Sequence, residues 1–190
     1  MRLVLISIAL TGALASPVLA HTGVGQTNSF ASGVAHPLSG ADHILAMVAV
    51  GLWGVLRGGR AVWVWPMAFV ATMLGGFAAA TLGLQIPFVE PAVWASIIIL
   101  GLLIALAAKA PVWLGAALAG LFAFLHGHAH GTESTAANLI PYAMGFTVST
   151  AGLHAAGIGL GSLAQRSIGK VAVRVMGGLA VLGGIALIVG

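Results

Sequence analysis

The sequence predicts an all-α, polytopic membrane helix bundle, six transmembrane helices behind a cleaved signal peptide. Three observations carry this expectation. Of the 190 residues, 60% are hydrophobic and only 5% are charged. A soluble domain carries about 25% charged residues, so this chain cannot cover itself with a water-compatible surface. The apolar runs are roughly 20 residues long, the length of a membrane-crossing helix rather than of the alternating strands of about 10 residues that build a barrel. The basic residues fall between those runs rather than within them.

Met1 to Ala20 reads as a secretory signal peptide, with Arg2 as its positive start, Leu3 to Ala15 as its apolar core, Pro17 as a breaker and Val18-Leu19-Ala20 before the cut. The competing reading is an uncleaved first span, for which the apolar core is short. Cleavage would leave His21 first, and a free amine beside an imidazole can chelate metal, but any cut after Ala20 exposes it. The single six-helix transmembrane domain is then 21–190. Gly23 to Ala35 is a polar lead-in. The first mature span runs to about Leu56 and ends at the basic turn Arg57-Gly-Gly-Arg60. Val62 to Leu84 is the second, with Trp63 and Trp65 at its start, where interfacial aromatics belong. Gln85 to Pro91 is a turn with two prolines and Glu90. Ala92 to Ala108 is the third span, Val112 to about His130 the fourth, Leu139 to Leu163 the fifth and Val171 to Val189 the sixth.

The charges test this order. Arg57 and Arg60 follow the first span, Lys109 the third, and Arg166, Lys170 and Arg174 the fifth, so all the mature basic residues fall on one side. The other side carries Glu90 and Glu133. The positive-inside rule makes the basic side cytoplasmic. Both mature termini of this multi-pass protein are then outside, as a cleaved signal peptide requires. This distribution also replaces a nucleic-acid reading of the basic balance; the partner surface is the lipid bilayer. With no cysteine, disulfides, thiolate metal sites and cysteine nucleophiles are excluded. Glycine is abundant, at 28 residues. Gly157-x-x-x-Gly161 and Ala116-x-x-x-Gly120 are small-residue patterns that let helices approach closely. Packing within one bundle is favoured over a dimer interface, and an oligomer stays open.

What remains is a polar minority, and an ionisable residue inside a span is a functional hypothesis by default. The stretch LFAFLHGHAHGTE holds His126, His128, His130 and Glu133. At 100° per residue, His126 and His130 share a face, and Glu133 joins them if the helix continues. His128 points roughly the other way, unless Gly127 and Gly131 loosen the backbone. An i, i+4 histidine pair with a carboxylate is a common way to hold a divalent ion. The bland alternative is a polar helix end at the headgroups. Three histidines and a glutamate within eight residues, in a chain this short of polar groups, favour the metal.

The second cluster is His36-Pro-Leu-Ser-Gly-Ala-Asp42-His43. On a straight helix His36 and His43 lie about 10 Å apart, too far for both to bind one ion at about 2 Å. Pro37 and Gly40 offer an escape: the helix begins near Ser39, and His36 sits on a preceding turn that folds back. Ser39-x-x-Asp42 would then resemble a capping box, and Met47 one turn on is packing. Counted from the basic side, the two clusters share the outer layer of the membrane. Neutral imidazoles and carboxylates suit nickel, cobalt, zinc or copper(II). His154 lies about two-thirds of the way across the fifth span, with Thr147 and Thr150 on its face. It is either an inner relay site or a histidine hydrogen-bonded to a neighbouring helix, with Ser149 and Thr150 as local partners.

HPLSGADHILAMVAVGLW resembles the His-x5-Asp-His signature of the HupE/UreJ family, bacterial membrane proteins associated with nickel supply to hydrogenase and urease. FLHGHAHGTE is similar to that family's second signature, a histidine- and glycine-rich stretch ending in Gly-x-Glu. The resemblance covers the whole chain, with both motifs in order. It implies a secondary nickel permease. His36, Asp42 and His43 come from the first motif and His126, His130 and Glu133 from the second, with His128 at a more variable position. Cobalt stays open as the cargo, and a hydrogenase or urease maturation system is the implied partner.

On this reading no cofactor is permanently bound; nickel, or cobalt or zinc, is the transported ion. It arrives from the periplasm, loses water to the two clusters and leaves near His154. No phosphate loop is present and the cytoplasmic loops are too short for a nucleotide domain, so transport is passive, ion-coupled or dependent on a separate partner. An inward potential helps a dication by about 2.3 kcal/mol per charge per 100 mV. Acid should weaken binding by protonating the histidines. Two rivals remain. A membrane-embedded zinc hydrolase would activate water in the same cluster, although no His-Glu-x-x-His motif is present. A metal-binding accessory protein would bind without flux.

Overall fold

The computed structural model describes residues 29–190. The expected signal peptide and His21 lie outside the described residues. Seven helices follow one another, with no strand among the described residues: α1 Ser29–Ser39, α2 Ala41–Arg57, α3 Ala61–Thr81, α4 Val89–Ala105, α5 Val112–Glu133, α6 Leu139–Ser167 and α7 Lys170–Val189. Each of the six expected spans is present as helix, and the first is divided in two. The helices α3, α5 and α7 are long and apolar enough to cross a membrane, and the bent pair α1–α2 makes a fourth. The apolar α4 is shorter. In α6, which is long enough, glycines, hydroxyls and His154 dilute the hydropathy. Leu102, Leu160, Val175, Leu179 and Leu182 are exposed, as lipid-facing positions of a membrane bundle must be.

Two sequence expectations change at the first span. Residues from Ser29 onward are helical rather than a polar lead-in. The reason is tertiary packing, which routinely stabilises a short helix that propensity would not. A Cβ on Gly33 would strike the Tyr142 carbonyl of α6, and one on Gly145 would strike the Phe30 carbonyl, so the two backbones lie in contact. The break comes at Gly40, where α1 and α2 meet at 78°. Gly40, not Ser39, is the N-cap of α2, without a side-chain cap bond. The capping box does not form: the Ser39 hydroxyl donates backwards to the His36 carbonyl at 2.8 Å, and the Asp42 carboxylate is engaged by His43.

The closest helix pairing is α3 against α5. Cβ atoms on Gly76 and Gly127 would fall onto the Phe124 and Met73 carbonyls respectively, and one on Gly131 would meet Ala80 and the Phe77 carbonyl. Thus Gly127 and Gly131 serve close approach, and the helix stays regular to Glu133. Of the small-residue patterns, Gly157 lies on the Val48 backbone, Gly161 on Leu52 and Val55, and Gly120 on Thr72. Both patterns therefore work inside the bundle.

One end of the bundle is basic and stitched together. The loop between α4 and α5 and the helix ends that flank it present four carbonyls that side chains from other helices satisfy. Arg174 Nε–H donates to Ala105 and Arg57 Nε–H to Ala110, both at 2.8 Å. The indole N–H of Trp53 reaches Ala108 at 3.3 Å and that of Trp65 reaches Val112 at 2.8 Å. The turns after α2, α4 and α6 are thereby held at one end, as the charge pattern predicts. Trp65 differs from its expected interfacial role: it is fully buried and stacks on Trp53 at 4.1 Å between ring centroids, while Trp63 stays exposed.

Adjacent glycines test this packing. Gly75 faces open space, and Gly76 faces the Phe124 carbonyl. Gly75→Ala should leave the melting temperature in detergent unchanged or raise it, because alanine gains up to about 1 kcal/mol over glycine in a helix. Gly76→Ala should lower it, with a loss of at least the 1–3 kcal/mol or so typical of overpacking.

Candidate metal centre

The break at Gly40 and the C-terminal end of α5 build one site. At the break, the bend folds His36 back over the start of α2, so that its ring centroid lies 5.4 Å from that of His43. From α5, His130 reaches in between them, with centroids 4.7 Å from both. His36, His43 and His130 each offer a ring nitrogen within 4.8 Å of the others. A tetrahedral imidazole shell at about 2 Å has nitrogens about 3.4 Å apart, so small ring rotations close this triangle on an ion. The two sequence clusters thus meet in one place, as a single candidate site.

Hydrogen bonds fix which nitrogens face it. His43 Nδ1 lies 2.8 Å from Asp42 Oδ1. A carboxylate accepts, so Nδ1 carries the proton and Nε2 keeps its lone pair. That nitrogen is buried without a hydrogen-bond partner, which is the carboxylate–histidine arrangement that orients a metal ligand. Gly40 makes the bridge possible: a Cβ there would sit 2.6 Å from Asp42 Oδ1 and 2.9 Å from His43 Nδ1. His36 Nε2 lies 3.5 Å from Glu133 Oε2. His130 is fully buried, stacks on Phe146 at 4.7 Å, and has no hydrogen-bond partner on either nitrogen.

Two of the three histidines, His36 and His43, line a cavity of about 300 Å³, with His130 buried behind them, and they share it with Asp42, Glu90 and Glu133. These are the chain's three acidic residues, so every carboxylate lies along one opening. Glu90 was missed as a site residue, because it reads as part of a turn far from either motif. The available signal was rarity: the chain has only three acids, and the other two already stand in the motifs. Its turn is unusual too, since Phe88, the N-cap of α4, has a φ of 61°, an outlier region for a bulky side chain.

The remaining candidates lie deeper or point elsewhere. His126 is fully buried one turn below His130, with its ring 5.5 Å from that of His43. Its Nδ1–H donates to the Phe122 carbonyl at 2.8 Å. His128 faces away from the triad: its Nε2–H donates at 2.8 Å to the Leu84 carbonyl, in the loop that leads to Glu90. His154 is buried in α6, away from the cavity, against Phe69 at 4.9 Å. The hydroxyls beside it are committed elsewhere: Ser149 donates to the Gly145 and Phe146 carbonyls, and Thr150 lies 3.7 Å from Met73 Sδ. Met47 is core packing, as expected.

A family model described as HupE / UreJ protein matches residues 8–187. Protein HupE of Rhizobium leguminosarum bv. viciae is 46% identical over 180 residues, covering 94% of each chain. No solved structure matches. With its apolar helices, its converged motifs and a match over nearly its whole length, the chain belongs to the HupE/UreJ family of multi-pass membrane proteins.

Proposed function

We propose that this protein is a secondary permease that carries nickel(II) inward across the bacterial inner membrane, with cobalt(II) as a second cargo of the same chemistry. The metal would supply enzymes such as hydrogenase or urease. The observation that carries this reading is the convergence of His36, His43 and His130, the first two of which line a cavity shared with all three acids of the chain. Membership of the HupE/UreJ family supports a role in nickel supply. Three neutral imidazoles suit nickel, cobalt and zinc, and the chain offers no thiolate to favour copper(I).

The arrangement suits passage better than storage. Glu90 and Glu133 attract a hydrated dication to the opening. Asp42 holds the His43 ring so that Nε2 meets the ion as water leaves. Three protein ligands leave coordination positions free, which keeps binding exchangeable. In this proposal the cavity faces the periplasm, the termini lie on that side, and the arginine-stitched end faces the cytoplasm. His128 braces the loop before Glu90 rather than binding the ion.

Nickel accumulation in metal-limited cells tests the reading. Cells producing the wild type should accumulate nickel above control cells, cobalt should compete better than zinc, and His43→Ala at matched membrane abundance should return uptake to background. No uptake of any of the three metals, with zinc held tightly by the purified protein, would instead favour a hydrolase.

A second comparison separates ligand from brace. Glutamine keeps an N–H that can reach the Leu84 carbonyl but is a poor metal ligand. His128→Gln should therefore keep most of the uptake, whereas His130→Gln should abolish it and weaken cobalt binding in a spectroscopic titration. Equal losses in both would refute the division of roles.

A further inference from the structure

Below the triad, the bundle holds further ring nitrogens without partners. His154 is 2% exposed with both ring nitrogens buried; the Thr150 carbonyl, one turn back on its own helix, is the one group offered to either of them among the described residues, at a geometry too poor for a well-formed hydrogen bond. A buried ring nitrogen with no partner calls for an explanation. In His126, donation by Nδ1 leaves Nε2 with a lone pair and no partner. Both rings pack on Phe69, at 5.6 Å for His126 and 4.9 Å for His154. His126 also faces His43. These contacts form a line that leaves the triad at His43, passes His126 and Phe69, and ends at His154. Met73 Sδ and the Thr150 hydroxyl lie beside its end.

The close helix packing holds this line in place. A Cβ on Gly51 would lie 2.5 Å from the His154 carbonyl, and one on Gly157 would strike the Val48 carbonyl, so α6 is pressed backbone to backbone against α2 at the level of His154. Nothing in such a contact needs a histidine; an apolar residue would fill the volume without leaving polar atoms unsatisfied.

We propose that His154 is an inner binding station for a divalent transition-metal ion, and that His126 is the relay joining it to the outer triad. The station takes the same class of ion as the triad, one that prefers neutral imidazole nitrogen over oxygen. Its place in transport rests on the permease reading; its capacity to bind does not.

The chain has no cysteine, so His154→Cys would introduce a single thiol at the position in question. Cobalt(II) added to this variant in detergent should produce a thiolate-to-cobalt charge-transfer band in the near ultraviolet, which His154→Ser should lack. The band should persist when the triad is disabled by His130→Ala. No band, with cobalt still filling the triad, would overturn the inner station. For flux, His154→Gln in proteoliposomes should fall to the level of protein-free vesicles while cobalt affinity at the triad stays at the wild-type value. Wild-type flux in that variant would refute the station's role in passage. A wild type that moves no nickel, cobalt or zinc, alongside a cysteine variant that shows the band, would defeat the permease reading and leave the station standing.

Discussion

The constraint on which this structure turns is the burial of imidazole nitrogens without partners. Eight of them, on His36, His43, His126, His128, His130 and His154, make no well-formed hydrogen bond among the described residues, and of these His36 Nε2 has the Glu133 carboxylate at 3.5 Å. Each such group costs about 1–3 kcal/mol relative to a satisfied one, and a membrane interior offers no bulk water to relieve it. So many together, in a chain otherwise so apolar, is the feature that the proposed metal site would account for. A metal ion does this for several lone pairs at once. The hydrogen bonds that do exist agree: in His43 and His126 the Nδ1–H is used and the Nε2 lone pair is kept.

Holding those rings in register requires helices that hardly move relative to one another. Membrane helices gain little from apolar burial against each other, so close packing must do the work. Here the tight pairs rest on glycine facing backbone: α3 with α5 through Gly76 and Gly127, α2 with α6 through Gly51 and Gly157, and α1 with α6 through Gly33 and Gly145. The first sets the height of His126 and His130, the second that of His154, and the third that of His36. The glycine content noted in the sequence is therefore part of how the histidine cluster is positioned.

Much of this was legible in the sequence. Length and hydropathy gave the helices, and loop charges gave the common end of Arg57, Lys109 and Arg174. The distance argument at His36 and His43 required a break, and Pro37 and Gly40 marked it. Other features depend on contacts between segments distant in the chain. The helical state of α1 comes from its contact with α6, which no local pattern records. His128 and Leu84 lie 44 residues apart, so the bracing bond could not be read from spacing, and the glycines beside His128 suggested flexibility where they give close packing. Glu90 looked like turn chemistry because its relation to Glu133 and Asp42 exists only once α4 and α5 are placed. Trp65 shared its pattern with Trp63, and only burial separates them.

The three carboxylates also bear on the choice between moving an ion and using one. A metal hydrolase needs a carboxylate free to take a proton from the bound water. Asp42 is held by both the backbone and the ring of His43, and Glu133 faces His36. Glu90 is exposed, at the first turn of α4. Two of the three carboxylates are thus engaged with histidines of the triad. Along an opening, by contrast, the same placement is useful at every point. Glu90 and Glu133 raise the local concentration of cations, and Asp42 strengthens His43 as a ligand. With the basic residues gathered at the opposite end, the field along the bundle favours a cation at the acidic mouth. A dication held by three neutral imidazoles keeps its full charge, and an inward membrane potential can act on that charge as it moves.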